Sequence, residues 1–304
     1  MTVRRGRGLA FASLPLLVLL LFAGSAQAKT IQVRPKKADA VQKAVDKAKA
    51  GDTLVIHEGR YPGAVHIETN RLTLKRAKGE KRPVLDGQCD VQRTIEIRAE
   101  RIALDGLSVR GAAEGFGSFP SQVDYEGTDR GSVNDLVLRN SCHSAEYGVN
   151  VFDGGHITIT NSNSKGFTDA GIYVGNINDT SAGPLIIEGN DMSGNTRGVI
   201  VEDAHPHSDD PGKPVDVRVI GNDLHDNTLD GLGPPTGLFL FQSDNVLIRN
   251  NTTDDNGVYG IHLDGGSDNA RLIGNKSNGN ETSNFFNEGQ NSCGSGNSFK
   301  IPVC

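Results

Sequence analysis

Four times in the second half of this chain two asparagines stand five residues apart, just after a strand-like pair: Asn190/Asn195, Asn222/Asn227, Asn251/Asn256 and Asn275/Asn280. The residues leading into them align as Ile187-Glu188-Gly189, Val219-Ile220-Gly221, Ile248-Arg249-Asn250 and Leu272-Ile273-Gly274. Weaker copies read Leu138-Arg139-Asn140-Ser141 and Ile159-Thr160-Asn161-Ser162. A second signal accompanies them, a glycine followed by apolar-x-apolar, at Gly148, Gly171, Gly198, Gly237 and Gly260. Each copy therefore holds two very short alternating strands parted by Asn/Gly turns. Counted between Leu138, Ile159, Ile187, Val219, Ile248 and Leu272, the first strand recurs after 21, 28, 32, 29 and 24 residues. A unit this small cannot bury its own apolar face, so the copies must stack.

The physical solution is an all-β, single-stranded, right-handed parallel β-helix, a solenoid whose coils lie about 4.8 Å apart and whose equivalent residues form ladders. Asparagine suits its turns because it tolerates left-handed backbone and its amide can bond the amide of the next coil. Turn chemistry alone accounts for both asparagines of each pair, which leaves them no catalytic role. With 38 glycines, 5% aromatic residues and no tryptophan, the composition fits many strands and turns and excludes a large aromatic core. The repeat has no linker, so residues 29–304 read as one elongated domain. Before it, residues 39–50 put Ala40, Val41, Ala44, Val45 and Ala48 on one stripe. This predicts a short N-terminal helix capping the open end of the solenoid. Strands are expected at 53–57, 64–68, 72–75, 94–98, 102–104 and 107–110.

Residues 1–28 read as an export signal. Arg4, Arg5 and Arg7 precede a leucine-rich run from Leu9 to Phe22, and Ala26-Gln27-Ala28 is a small-x-small cleavage site. The twin arginine lacks the apolar residues that would follow it in a twin-arginine signal, which points to the general secretion route. The mature chain then starts at Lys29, secreted to the extracellular space or periplasm, with no second apolar run able to span a membrane. Cys89, Cys142, Cys293 and Cys304 all fall in the exported part, where thiols oxidise. Four cysteines allow three pairings; Cys293 with Cys304, stapling the C-terminal tail, and Cys89 with Cys142 are the favoured ones. Charge divides the chain: residues 29–110 carry 18 Lys+Arg against 11 Asp+Glu, a net +7, and residues 111–304 carry 10 against 26, a net −16. The acidic part would repel a bare polyuronate or nucleic acid unless calcium bridged them, and the basic first third is the expected contact with any polyanion, the competing reading being that its lysines only solvate outward faces. The basic part has no aromatic stacking row, which argues against a nucleic-acid partner. Nothing in the sequence calls for more than a monomer.

The string Ala-Gly-Asp-Thr-Leu-Val-Ile-His-Glu-Gly-Arg-Tyr at 50–61, followed by strands and Asn-x4-Asn coils, resembles secreted parallel β-helix repeat proteins of the pectate-lyase-like superfamily. It is also similar to periplasmic β-helix proteins that assist copper-site maturation in nitrous oxide reductase. Through residues 170–175, 197–201 and 233–238 it is most similar to exported bacterial β-helix repeat proteins without a settled activity. The resemblance covers nearly all of the mature chain and implies the fold; activity has to be read from the site. The short signatures of pectate lyases, polygalacturonases and alginate epimerases (GHG, NTD, DPHD) are absent. Asp203-Ala-His205-Pro-His207 departs from the last of them. Residues 59–65 resemble the first strand of pectin esterases, a structural element there.

The outward-pointing positions of the glycine-led strand supply the candidate site. One row reads Asn150, Tyr173, Ile200, Phe239 and His262; the row two residues further on reads Phe152, Gly175, Glu202, Phe241 and Asp264. Glu202 and Asp264 then stand two coils, about 9 to 10 Å, apart. That is near the upper end of the roughly 6.5 to 9.5 Å used by inverting glycosidases. With His262 beside Asp264 and Asp203 at the corner beside Glu202, the candidate catalytic residues are Glu202, Asp203, His262 and Asp264. Asn150, Tyr173 and Phe239 are the candidate substrate-binding residues. A solvated acidic face is the competing reading. Loops at 112–134, 202–214 and 226–236 are the longest insertions, and loops on a rigid scaffold carry function. The middle one contains His205, His207, Asp209 and Asp210, a set that suits a divalent cation such as calcium, although Pro206 and Pro211 mark a plain exposed loop. Two functions fit. One is a polysaccharide lyase, hydrolase or epimerase working in a groove along the rows. The other is a non-catalytic extracellular module that binds glycan, cell-envelope material or metal.

Overall fold

Alternating apolar and polar residues over three to eight positions give strands too short to stand alone. In this computed structural model, which describes residues 27–35, 38–115, 119–177, 180, 183–205 and 216–304, they pair only with the equivalent strands of neighbouring coils. Every strand pairing among the described residues is parallel, and the strands sort into sheets of 11, 9 and 7. One coil runs Thr158–Thr160, Asn163–Lys165 and Ala170–Gly175, in the 11-, 7- and 9-stranded sheets respectively. The next coil begins at Leu185–Glu188, with Ile187 in register with Ile159. The whole is a right-handed parallel β-solenoid of about 10 turns. Its interior is built by stacking like on like: Ile159, Ile187, Val219, Ile248 and Leu272 succeed one another in register and are fully buried. Each such side chain contributes roughly 1.5 to 3 kcal/mol by leaving water.

The asparagines form two buried ladders. In the first, each side-chain amide donates to the next Oδ1, from Asn190 to Asn222 (3.0 Å), Asn251 (2.9 Å), Asn275 (3.1 Å) and finally Asn297 (2.9 Å). In the second, Asn195, Asn227, Asn256 and Asn280 do the same at 2.9 to 3.2 Å. The left-handed backbone lies elsewhere than expected. It falls on the residue just before each ladder asparagine: Gly189, Gly221, Asn250 and Gly274 in one turn, Gly194, Asp226, Asp255 and Gly279 in the other. The ladder asparagine is thus selected for its amide, and the residue before it for its φ.

Three expectations need correction. Leu138 belongs to the 7-stranded sheet, where it pairs with Ser164, and the true predecessor of Ile159 is Val133, 26 residues earlier rather than 21. Residues 112–134 are not one loop, because Ser121–Glu126 and Ser132–Asn134 are strands of a complete coil. The polar residues Gln122 and Asp124 hid the first of these, and both are fully buried. The N-terminal helix stops at Val45 instead of Ala50. A tight turn replaces its last part, with Asp52 accepting hydrogen bonds from the Lys29 and Lys49 amides at 2.7 and 2.9 Å. The helix still buries Val41, Ala44 and Val45 with the core of the first coils.

Both favoured disulfides are formed, Cys89–Cys142 and Cys293–Cys304. At the C-terminal end Phe285 stacks on Phe299 (4.5 Å), and the amide of Gly294 donates to the carbonyl of Pro302. The segment expected to be an export signal, apart from Gln27 and Ala28, lies outside the described residues. Among those described, no helix is long and apolar enough to cross a membrane.

Candidate functional site

The 9-stranded sheet carries the two expected rows in the expected register, Asn150, Tyr173, Ile200, Phe239 and His262 following one another from coil to coil. Toward the N-terminus the same row continues through Asp124, Glu96 and His66. A further outward row was not legible in the sequence. Each leading glycine sits where the chain turns into the sheet. A Cβ on Gly198 would lie 2.5 Å from the Gly237 carbonyl and 3.2 Å from the Leu224 side chain, so this position faces inward. The residue before the glycine therefore faces out, which adds Tyr147, Ala170, Arg197, Thr236 and Tyr259. Tyr147, Ala170, Tyr173 and Ile200, with Phe239 against them, make an apolar cluster separate from the interior core.

Two polar groupings are set into that cluster. In the first, the Tyr147 hydroxyl donates to Asp169 Oδ2 (2.9 Å), Arg197 Nη1 donates to Asp169 Oδ1, and Arg197 Nη2 donates to the Leu232 carbonyl (2.6 Å). The guanidinium lies 5.3 Å from the centre of the Phe239 ring, a cation–π distance. Gly233 is required for this arrangement: its φ is +134°, and a Cβ there would lie 1.7 Å from Arg197 Nη2. In the second grouping, the Tyr173 hydroxyl lies over Gly175, where an added Cβ would meet it at 2.3 Å. Its neighbour is the carboxyl of Glu202, the residue in register with Gly175 on the next coil, with which it interacts electrostatically. Burial raises Glu202 above the usual carboxylate range; the Tyr173 hydroxyl opposes this, and the charges of Asp203 and Asp169 reinforce it. Burial also raises Asp169, against the attraction of Arg197. Tyr147 and Tyr173 are both held firmly protonated, first by burial and then by neighbouring acids.

The N-terminal part of the face is a closed charge network. Asp124 is fully buried, 2.8 Å from Arg93 Nε, and accepts from Asn150 Nδ2 at 2.6 Å. Burial, partly offset by Arg93, pushes its pKa to about 6. Beside it Arg98 binds Glu96 and Glu126, and Glu96 also binds His66 (2.7 Å).

The candidate residues are distributed unevenly over this geometry. Glu202 is half-buried and central, with Asp203 at the corner in left-handed backbone (φ 47°). Asp264 lies just past the strand Tyr259–Leu263, two coils on from Glu202, and its Oδ1 accepts from the Gln242 amide, the Gly266 amide and the Ser267 hydroxyl, at 2.6 to 3.2 Å. It holds a turn. His262 bonds Glu288 (3.1 Å) and not Asp264, and packs between Phe239, Tyr259 and Phe286. The row expected to line an open groove is largely closed: Asn150, Tyr173, Ile200 and His262 are only 4, 8, 2 and 8% exposed. Of the metal set, His205 lies 3.7 Å from Asp203, whereas His207, Asp209 and Asp210 are outside the described residues. Among those described, no three His, Cys, Asp or Glu side chains are placed to hold a metal ion.

Residues 126–300 match a family described as the right handed beta helix region. No curated protein matches the chain in sequence. Among solved structures it is similar to the pectate lyase Pel9A, with a TM-score of 0.64 and 13% identity over 92% of this chain and 82% of that one. It is similar to an alginate lyase from Paenibacillus sp. str. FPU-7, with a TM-score of 0.59 and 18% identity over 90% and 96%. A glycoside hydrolase gives a TM-score of 0.52 and 13% identity over 82% and 51%. At such identities the likeness is one of fold.

Proposed function

The chain belongs to the right-handed β-helix family, and we propose that it is a polysaccharide-acting enzyme in which Glu202 is the proton-transferring group. The observation that carries this is a carboxyl on the outer face of a rigid sheet, half-buried, raised by burial and by Asp203 and Asp169, and set beside a tyrosine hydroxyl. A carboxyl whose protonated form is favoured by burial and by neighbouring acids is suited to donate to a departing glycosidic oxygen. Tyr173, fixed above Gly175, then stabilises the carboxylate left behind. Asp203 is the adjacent carboxylate available to a second step. The solved structures of the same fold include a pectate lyase, an alginate lyase and a glycoside hydrolase, which supports a polysaccharide as the object of this chemistry. Export belongs to the same reading, since two disulfides suit an oxidising compartment.

The test is turnover of neutral and acidic polysaccharides, with and without calcium, following chain shortening and new unsaturation. Glu202→Gln, which keeps shape and removes the proton, should abolish turnover while leaving glycan retention intact. Full activity in that variant removes Glu202 from the chemistry. A second reading, a non-catalytic glycan-binding module, draws on the near-complete burial of Asn150, Tyr173 and Ile200. It is supported by retention without turnover.

A further inference from the structure

Resting on the polysaccharide reading above, we infer that the face around Glu202 takes an uncharged sugar polymer and rejects polyuronates. Two independent observations carry this. The first is charge. Along the three outward rows from Tyr147 to Glu288, Arg197 is the one lysine or arginine among the described residues. Its guanidinium is already spent: Asp169 takes one end, the Leu232 carbonyl takes the other, and the residue is 8% exposed. The outermost row instead carries Glu202, Asp264 and Glu288, with Asp203 at its corner. A polymer with a carboxylate on every sugar would meet like charge at Glu202 and again, past Phe241, at Asp264 and Glu288, with no lysine or arginine on these rows left to receive it, and like-charge juxtaposition is a means of rejecting partners. The surrounding part of the chain, with 10 basic and 26 acidic residues over 111–304, adds to that repulsion.

The second observation is apolar surface on the same rows. Phe152 and Phe286 are 37 and 36% exposed, and the Tyr259 and Phe286 rings stack at 5.0 Å with 7° between their planes. Sugar sites are apolar and aromatic with a few placed polar groups. An uncharged pyranose offers C–H faces to such rings and hydroxyls to Glu202 and Glu288. Recognition of this kind is insensitive to salt, whereas recognition of a polyanion weakens as salt rises.

The experiment uses the intact secreted protein on immobilised mannan, xylan, galactan and β-glucan, and on immobilised polygalacturonate and polymannuronate. Retention and turnover are read at about 0.05 and about 0.5 M NaCl, in EDTA and in calcium, a range that shortens the Debye length severalfold. The expected result is retention on a neutral polymer, changed less than about twofold by salt, and none on either polyuronate. Asp169→Asn, which frees Arg197 from its counter-charge, should gain polyuronate retention that salt abolishes. Retention or turnover of a polyuronate by the wild-type protein, with calcium or without, overturns the inference and leaves the polysaccharide reading standing. Retention of no polymer at all overturns both.

Discussion

Asn222 sits in the middle of the first ladder, 2% exposed, and its replacement by alanine measures what the ladder contributes. Its Nδ2 donates to Asn251 Oδ1 and to the Ile187 carbonyl, both at 2.9 Å, and its Oδ1 accepts from the Asn190 amide and the Asn190 side chain, both at 3.0 Å. Asn222→Ala removes all four, and buried hydrogen bonds contribute roughly 1 kcal/mol each. The expected loss is therefore about 4 kcal/mol, a large share of the stability of a natural domain. Two controls separate the parts of the turn. Asn278→Ala deletes an exposed amide and should cost within about 0.5 kcal/mol. Gly221→Ala leaves the ladder whole and meets nothing within 4 Å, so it should cost only the roughly 1 to 2 kcal/mol of a left-handed alanine. Urea unfolding with the disulfides intact, read for midpoint and slope, decides among them. If Asn222→Ala falls within error of Asn278→Ala, the amide ladder is not what holds the coils together, and the account of the turns given above is wrong.

Other expectations follow from the same geometry. Asp124 has a pKa near 6 folded and 3.8 as a free side chain, so the folded protein holds the proton more tightly. Its contribution to stability is fully present below about pH 3.8 and is lost as pH rises to about 6, by about 3 kcal/mol for that shift. Asp124→Asn should remove this slope, so the variant gains on wild type as pH rises from 4 to 6; parallel unfolding curves across that range contradict the assignment. Replacing Cys89 and Cys142 by serine opens a loop of 53 residues and should cost about 4 kcal/mol, against about 3 for the 11-residue Cys293–Cys304 loop. The reverse order in denaturant melts would show that strain, not loop entropy, governs them. Gly175→Ala drives a methyl into the Tyr173 hydroxyl and should depress turnover while far-ultraviolet circular dichroism stays unchanged; unchanged turnover removes Tyr173 from the site.

The coils were legible in the sequence wherever both halves of the repeat survived. Val219, Ile248 and Leu272 announce their register through the asparagines that follow, and the row from Asn150 to His262 lies in the register that the glycine-led strands imply. The coil at 121–134 was illegible because its strand Ser121–Glu126 puts Asp124 where a polar residue normally meets water, and the partners that tolerate it, Arg93 and Asn150, lie on other coils. The same holds for the site. Asp169 falls in a turn, and nothing local says that Arg197, 28 residues on, and Tyr147, 22 back, converge on it. Nor does the sequence reveal that Asp264 closes a turn with Ser267 and that His262 reaches Glu288. Periodicity reports what recurs, and these contacts occur once.

That difference bears on how such a chain folds. Every rung of the asparagine ladder offers the next coil the same donors and acceptors, so the ladder alone would let a coil dock as readily on the wrong neighbour as on the right one. Correct assembly must be indexed by features that break the translational symmetry: the Arg197–Asp169 pair, the Arg93–Asp124 pair, the Cys89–Cys142 bond and the unequal spacings between coils. The residues that distinguish one coil from another, which include the candidate site, are then also the residues that tell the solenoid how to count.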